Sequence, residues 1–272
     1  MIFAVIALLT YGNLRGVKEA GKVFALPTYF FVMCMLTVFG MGLYRLANGT
    51  LPVMDTDMPG AVPVGEAQGL LTFAAVFILL RAFANGGSSL TGLEAISDGV
   101  ALFKAPEHVN AKRTLVVMST LLGTLVLGVS FFAHKIHAVP YESGVPTVIS
   151  QIAKVTVGTG TFGSIMFILV QLATMLILFA GANTTYSAFP LLVNFVATDG
   201  YLPRQLTKRG HRLAFSNGIL LLSGGGLLLV VITAGSVENL VAFYALGVFT
   251  GFTLAGFGMT RYFLRTKPEQ WR

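Results

Sequence analysis

The sequence predicts an all-α protein that crosses a membrane several times, and three observations carry this prediction. Hydrophobic residues make up 55% of the chain and charged residues only 11%, whereas soluble domains carry about 25% charged residues. Apolar runs long enough to cross about 30 Å of hydrocarbon alternate with short polar links. Most Lys and Arg residues fall in every second link. We therefore expect a polytopic helical membrane protein.

The apolar runs define the expected elements in chain order. The run from Met1 to about Tyr11 is too short to span the bilayer. We therefore expect it to be the end of a helix that begins upstream, which would make the chain a fragment. A polar link is expected over 12–22 and a short interfacial helix within 146–157. Full spans are expected over 23–44, 114–133, 214–234 and 239–264, with a broken span over 69–103, and a long helix over 161–196 needs only about its first two dozen residues to cross the bilayer.

The distribution of positive charge predicts the orientation. Fourteen of the 18 Lys and Arg residues lie in the links after the first partial helix, the broken span and the long helix, and at the C-terminal end from Arg261 onward. By the positive-inside rule these parts face the cytoplasm. We expect a multi-pass protein of the plasma membrane with a cytoplasmic C-terminus. Topology then accounts for the net charge of +7 without a nucleic-acid partner.

The stretch Asn85–Val100 is the segment that most directly indicates a function. An apolar run over 69–84 leads into Gly86, Gly87 and Gly92, which predict a helix broken near mid-depth. Non-helical backbone at that depth is tolerated where it is buried in protein or lines a cavity. Broken helices of this kind bind substrates and coupling ions in secondary transporters.

Glu94 is the ionisable residue within this segment. A carboxylate near the bilayer centre costs several kcal/mol unless it is paired, protonated or hydrated. Thr91, three residues earlier, would share its helix face, and Asp98 lies one turn further on. The alternatives are a structural carboxylate bonded to unwound backbone and an Asp98 that lies near the interface. Arg81 is expected to be a gate, a counter-charge to Glu94, or a side chain that snorkels to the outer water.

The run Asn183–Ser187 places five polar side chains in succession within the long apolar helix. Because the run surrounds the helix, we expect one of its faces to line a pathway. Ser and Thr side chains that bond only their own backbone or a neighbouring helix are the alternative. Gly247 and Gly251, with G-x-x-x-G spacing, are expected to allow close helix packing.

No motif of catalysis is found in the sequence. Metalloprotease, hydrolase and P-loop patterns do not occur. The run Gly158–Gly163 matches the G-x-G-x-x-G fingerprint in spacing but lacks its strand–turn–helix context. His134 and His137 have no third ligand nearby in the sequence, so a metal site is not expected. We expect neither an enzyme nor a cofactor.

A family resemblance rests on the broken span and on two other segments. The segment 90–100, with its continuation to residue 115, resembles the sixth helix and following loop of the amino acid–polyamine–organocation (APC) superfamily. Within it, the chain is most similar to potassium importers of the KUP/KimA type, because a threonine precedes the glutamate by three residues and Ala-Ile-Ser follows it. The G-x-E-A core is shared by many amino acid permeases. The residues that carry the likeness are Leu90–Val100, Phe103, Pro106, Asn110, Ala111, Thr114, Leu115, Tyr11–Gly16 and Ala182–Pro203.

The resemblance implies the LeuT-type five-plus-five inverted repeat. Residues 1–272 would form one partial transporter domain, from the end of helix 4 through helix 10. The family's broken first helix, which supplies the other half of the site, would lie before Met1. The resemblance also implies that Thr91 and Glu94 contribute to the cation and proton path, and that Thr184 and Thr185 face the ion-binding region from helix 8.

We therefore expect a secondary active transporter that works by alternating access. The first choice of activity is potassium uptake with H⁺ as the coupling ion, and an amino acid permease is the alternative. A channel and a non-transporting membrane scaffold are further alternatives. The expected partners are the lipid bilayer and either potassium or an amino acid, with a homodimer kept as an alternative to a monomer.

Overall fold

Eight α-helices make up most of the described chain, which a computed structural model covers at residues 2–15, 20–55, 58–62, 73–87, 92, 96, 100, 103–141, 144–208 and 215–266. In chain order they are α1 (Ile2–Leu14), α2 (Ala20–Ala47), α3 (Phe73–Gly87), α4 (Glu107–Lys135), α5 (Val148–Val157), α6 (Thr161–Thr198), α7 (Ser216–Ile232) and α8 (Val237–Thr266). A short 3₁₀ turn, Arg204–Thr207, precedes α7. The predicted all-α class is confirmed for these ranges.

Four of the described helices are long and apolar enough to cross a membrane, judged by length and composition. They are Ala25–Ala47 within α2, Glu107–Lys135, Thr161–Thr198 and Asn239–Thr266 within α8. The spans and the long helix expected over 23–44, 114–133, 161–196 and 239–264 are thus confirmed as long apolar helices. The remaining helices are apolar but shorter, and α7 has 17 residues, the lower limit for a span.

One predicted element differs in where it ends. α1 continues to Leu14, so the link expected from residue 12 begins later. In this last turn, Asn13 Nδ2 donates to the Leu9 carbonyl (2.9 Å). α5 is helical as predicted, and five of its residues are buried.

The helices group into two compact units, 1–65 with 120–228 and 66–119 with 229–272. The core of the first unit forms where α2, α5, the end of α4 and the first half of α6 meet. Its buried side chains are Cys34, Met35, Val38, Phe39, Phe132, Ile136, Ile152, Ala153, Val157, Met166, Val170 and Ala173. The expectation of one transporter domain over 1–272 stays a prediction.

α2 and α4 pack through two reciprocal glycine–phenylalanine contacts. The Phe132 ring lies against Gly42, and the Phe39 ring lies against Gly128, so a Cβ at either glycine would overlap a ring. The two rings stack with their centroids 5.7 Å apart and 14° between their planes. Small residues let helix backbones approach closely in membranes, and here each helix supplies both the glycine and the ring.

Gln151 attaches α5 to the chain that precedes it. Its side chain is 2% exposed. Nε2 donates to the carbonyls of Val139 (2.8 Å) and Pro146 (3.1 Å), and Oε1 accepts from the Val139 amide (3.3 Å). Since a buried amide is costly unless it is paired, this residue fixes Val139 and Pro146 against α5.

The junction of α5 and α6 explains the Gly158–Gly163 match. Gly158 has φ +85° and ψ −174°, a region open essentially to glycine alone, and a Cβ there would meet the Arg45 guanidinium. Arg45 Nη1 donates to the Val155 carbonyl (3.0 Å), which satisfies a group in the last turn of α5. The motif is a tight turn between two helices.

Replacing Gly158 by Ala is expected to lower the stability of the protein by about 1–3 kcal/mol, because alanine is strained at this φ and ψ. Gly160→Ala is the matched control, since Gly160 has φ −71° and open space at its Cβ position. Thermal unfolding of the detergent-purified protein measures both variants. Equal unfolding temperatures would contradict this explanation of the turn.

In the second unit, α3 packs on α8 through Phe249. A Cβ at Gly87 would lie 2.7 Å from Cζ of that ring, and the Phe83 and Phe249 ring centroids are 6.1 Å apart. The glycine therefore admits the ring at the last turn of α3. This contact fixes the end of α3 directly before the segment that carries Thr91 and Glu94.

Candidate functional site

The predicted site residues of the broken span are only partly described. Thr91, Glu94 and Asp98 lie outside the described residues, and their arrangement stays a prediction. Gly92 is helical and exposed, and no heavy atom of another described element lies within 4 Å of its Cβ position.

α3 leads into this segment with its last described turn at Gly86 and Gly87. The residues that would carry the break between Gly87 and Gly92 are outside the described ranges, so the break stays a prediction. Arg81 is exposed on α3, with its role as gate or counter-charge untested. A groove of about 410 Å³ borders α3, lined by Ala84, Ala245, Leu246, Phe249, Thr250, Thr253 and Leu254.

The polar run on α6 is divided between two faces of the helix. Asn183 and Tyr186 are buried, each 8% exposed, whereas Thr184 and Thr185 are exposed. This follows from the helical advance of about 100° per residue, which puts residues three apart on one face. Thr184 donates its hydroxyl to the Gly181 carbonyl (2.7 Å). Its oxygen therefore keeps both lone pairs free of that bond.

The buried face of the run meets two other helices in a cluster of hydroxyls. Thr10 Oγ1 of α1 lies 2.7 Å from Ser223 Oγ of α7 and 3.3 Å from the Tyr186 hydroxyl. Ser223 Oγ lies 3.4 Å from the same Tyr186 hydroxyl. Thr10 and Ser223 also reach the carbonyls of Ile6 (2.7 Å) and Ile219 (2.8 Å) in their own helices. Three hydroxyl protons are thus shared among five oxygen atoms.

A pair of side-chain amides lies one turn away from these hydroxyls, between α1 and α6. Asn13 Nδ2 donates to Asn183 Oδ1 at 2.8 Å. The surroundings are apolar, with Leu9 and Ile219 almost fully buried. Partly buried Val5, Leu14, Phe179 and Leu222 pack around this cluster. We call Thr10, Asn13, Asn183, Tyr186 and Ser223 together the polar anchor.

The polar anchor carries no charged side chain. In the part of the chain that the structure describes, every buried side-chain nitrogen and oxygen has a hydrogen-bond partner. The three hydroxyl oxygens also lie at hydrogen-bonding distance from one another. In the same ranges, no group of three or more His, Cys, Asp or Glu side chains could hold a metal ion. The anchor is therefore suited to joining helices rather than to binding a ligand.

The sequence points to the α6 part of this cluster and not to its parts on α1 and α7. One functional face is expected for the run Asn183–Ser187, whereas Thr10, Asn13 and Ser223 are not among the expected site residues. The available signal was the three-residue spacing of Thr10 and Asn13, which matches that of Asn183 and Tyr186. Polar pairs with this spacing in apolar helices predict a shared interhelical face.

Comparison with known proteins identifies the family. The sequence matches the family model described as amino acid permease over residues 1–272. It is 39% identical to the potassium transporter KimA of Bacillus subtilis (strain 168), over 99% of this chain and 42% of that protein. The chain thus spans less than half the length of this relative. The resemblance drawn from Leu90–Val100 is confirmed, and with it the assignment to permeases rather than enzymes.

Taken with the apolar helices described above, the match over the whole sequence shows that this chain belongs to the amino acid permease family of multi-pass integral membrane transporters.

Proposed function

We propose that the full-length gene product containing residues 1–272 is a secondary active transporter that takes up potassium together with protons by alternating access. The observation that carries the proposal is the similarity, over nearly the whole chain, to a protein named as a potassium transporter. The carboxylate of Glu94 within an apolar segment supports it, because ionisable groups at membrane depth mark ion and proton pathways.

Four residues are proposed to contribute to the cation and proton path. Glu94 would carry the negative charge and the exchangeable proton, and Thr91 would add a hydroxyl oxygen on the same helix face. Thr184 and Thr185 would contribute oxygens from α6, in a LeuT-type arrangement. The exposed Thr184 oxygen supports this assignment, because its proton is directed to the Gly181 carbonyl and its lone pairs remain for a cation.

Three further residues are proposed as parts of the pathway or its gate. Arg81 would lie on the outer side of the site, Gly92 would allow the backbone to turn, and Asp98 would lie towards the cytoplasm. The C-terminus would be cytoplasmic in the plasma membrane, as the distribution of Lys and Arg supports.

An amino acid permease is the competing proposal. The description of the matching family favours it, and the Gly92-Leu93-Glu94-Ala95 core is compatible with either substrate. The two substrates differ in what the site must offer. An amino acid needs donors for its carboxylate, whereas potassium needs only oxygen atoms.

Growth at low potassium separates the two proposals. The full-length gene product is expressed in a host that lacks its own potassium uptake, with an empty vector as the control. We expect rescue of growth and accumulation of potassium, without uptake of labelled amino acids. Uptake of an amino acid without potassium movement would overturn the potassium proposal.

Replacing Thr184 or Thr185 by Val is expected to raise the KM for potassium by about tenfold, because each change removes one oxygen ligand of a charged species. Thr198→Val is the matched control, since Thr198 is exposed on the same helix and bonds its own backbone at Asn194 (2.8 Å). Initial rates of potassium uptake give the KM. If all three variants have the same KM for potassium, Thr184 and Thr185 do not bind the cation.

A further inference from the structure

We infer that the polar anchor fixes the rotation of α6 about its own axis and thereby positions Thr184 and Thr185 for the transported cation. The inference rests on the proposed function. It adds a role for Thr10, Asn13, Asn183, Tyr186 and Ser223 as positioning residues that do not touch the cation themselves.

The geometry of α6 links the two faces. With about 100° between successive residues, Thr184 and Thr185 each point about 130° away from the centre of the buried face that Asn183 and Tyr186 share, on opposite sides of it. A rotation of α6 by one residue position would exchange exposed and buried residues of the polar run. The direction of the two threonines is therefore set by whatever holds Asn183 and Tyr186.

Two fixed points on one turn prevent this rotation. Asn183 is held by Asn13 of α1 (2.8 Å). Tyr186, one turn further, is held between Thr10 of α1 (3.3 Å) and Ser223 of α7 (3.4 Å). With a single contact, α6 could still rotate about its own axis. Two contacts, made by two different helices, restrict that rotation to one orientation.

A steric contact on the next turn of α6 supports the same rotational orientation of this helix. Pro190 of α6 is buried, and a Cβ on Gly218 of α7 would lie 2.9 Å from its Cβ. The two helices are thus in close contact directly after the hydroxyl cluster. Since Pro190 lies on the same face as Asn183 and Tyr186, this contact and the polar anchor act on one side of α6.

Directional bonds are suited to this role in a membrane. Apolar side chains gain little from meeting each other in lipid, and helices associate there through packing and interhelical hydrogen bonds. Each such bond shifts an equilibrium by only about threefold on average. Loss of one bond would therefore leave α6 inserted while allowing the orientation of its polar run to vary.

The test compares Thr10→Val and Tyr186→Phe with matched controls in the full-length gene product. Thr37→Val is the threonine control, because Thr37 makes the same bond within α2, to the Met33 carbonyl (2.8 Å). Tyr29→Phe is the tyrosine control, since Tyr29 is 72% exposed. Thr10→Ser retains the hydroxyl and serves as the conservative variant.

We expect the two anchor variants to raise the KM for potassium by about 2- to 10-fold with Vmax nearly unchanged, as loss of one net hydrogen bond implies. Thr10→Ser should restore the KM, and both controls should match the parent. A lower Vmax or a smaller amount of folded protein with an unchanged KM would overturn the inference, because it would mark the anchor as structural only. Tyr186→Phe keeps the packing of the ring, so if Thr10→Val does not fold, the KM of Tyr186→Phe alone tests the inference.

A second measurement does not depend on the substrate. Thr184→Cys and Thr185→Cys are labelled with a membrane-impermeant maleimide in a background without other cysteines, which in this chain requires replacing only Cys34. Adding Thr10→Val should change the labelling rates by about 2-fold or more, as loss of the same bond implies, and adding Thr37→Val should not. If the parent moves no potassium, the proposed function fails, and the labelling rates alone decide this inference. Rates that Thr10→Val leaves unchanged would overturn it.

Discussion

Replacement of Glu94 by Gln is expected to reduce potassium uptake on the order of 100-fold, because hydrogen bonds and ion contacts to a charged group contribute about 1.5–3 kcal/mol. Glutamine keeps the size of the side chain and removes both the charge and the exchangeable proton. If the variant inserts normally into the membrane but loses uptake, the loss is therefore due to the missing charge and proton of Glu94 and not to a change in side-chain size. Radiotracer influx in cells, corrected for the amount of protein in the membrane, measures the effect.

Glu107→Gln is the matched control for this experiment. Glu107 is an exposed carboxylate in the first turn of α4, in a part of the chain where the sequence predicts cytoplasmic solvent. Its replacement should leave uptake unchanged. If Glu94→Gln transports as well as Glu107→Gln, then Glu94 is a structural carboxylate and not part of the ion path.

The second large effect concerns the packing of α2 against α4. Gly42→Ala and Gly128→Ala are each expected to lower stability by about 1–3 kcal/mol, because an added methyl group overlaps an aromatic ring in a packed core. Gly40→Ala and Gly123→Ala are matched controls on the same two helices, with open space at the Cβ position. The controls should be neutral or stabilising by up to about 1 kcal/mol, since alanine favours helix more than glycine does.

Thermal unfolding in detergent distinguishes these four variants. A further variant with both Gly128→Ala and Phe39→Leu should recover part of the lost stability, because the smaller side chain withdraws from the added methyl group. Equal stability of the test and control variants would contradict the reciprocal packing of Phe39 and Phe132.

The sequence alone was sufficient for the class, the long helices and the family. Hydropathy and segment length depend on composition within a window, so spans such as 114–133 and 239–264 could be located without knowing their neighbours. The family could be assigned because Leu90–Val100 combines glycines, a threonine and a carboxylate at specific spacings.

The packing faces could not be predicted, because nearly every side of these helices is apolar. Gly247 and Gly251 have the spacing of a close helix contact, yet no heavy atom of the described residues outside their own helix lies within 4 Å of their Cβ positions. Close packing at these two glycines therefore stays a prediction. The glycines that do admit a neighbour include Gly42 and Gly128, whose role depends on rings supplied by another helix.

The polar anchor was missed for a related reason. α6 carries polar residues all round the helix at 183–187, so the sequence does not indicate which of them face protein. Only the positions of Thr10 on α1 and Ser223 on α7 decide that Tyr186 is buried and Thr185 exposed. The three-residue spacing within each helix marks candidate polar faces, but local periodicity does not say which of these faces meet.

Transport by purified full-length gene product in proteoliposomes tests the central claim most directly. Vesicles without a potassium gradient are given a pH that is lower outside than inside, and internal potassium is followed with an ion-selective dye. We expect potassium to accumulate against its gradient while the pH difference lasts, and accumulation to cease when a protonophore removes that difference. Potassium movement that only follows its own gradient, or uptake of amino acids without potassium, would contradict the claim.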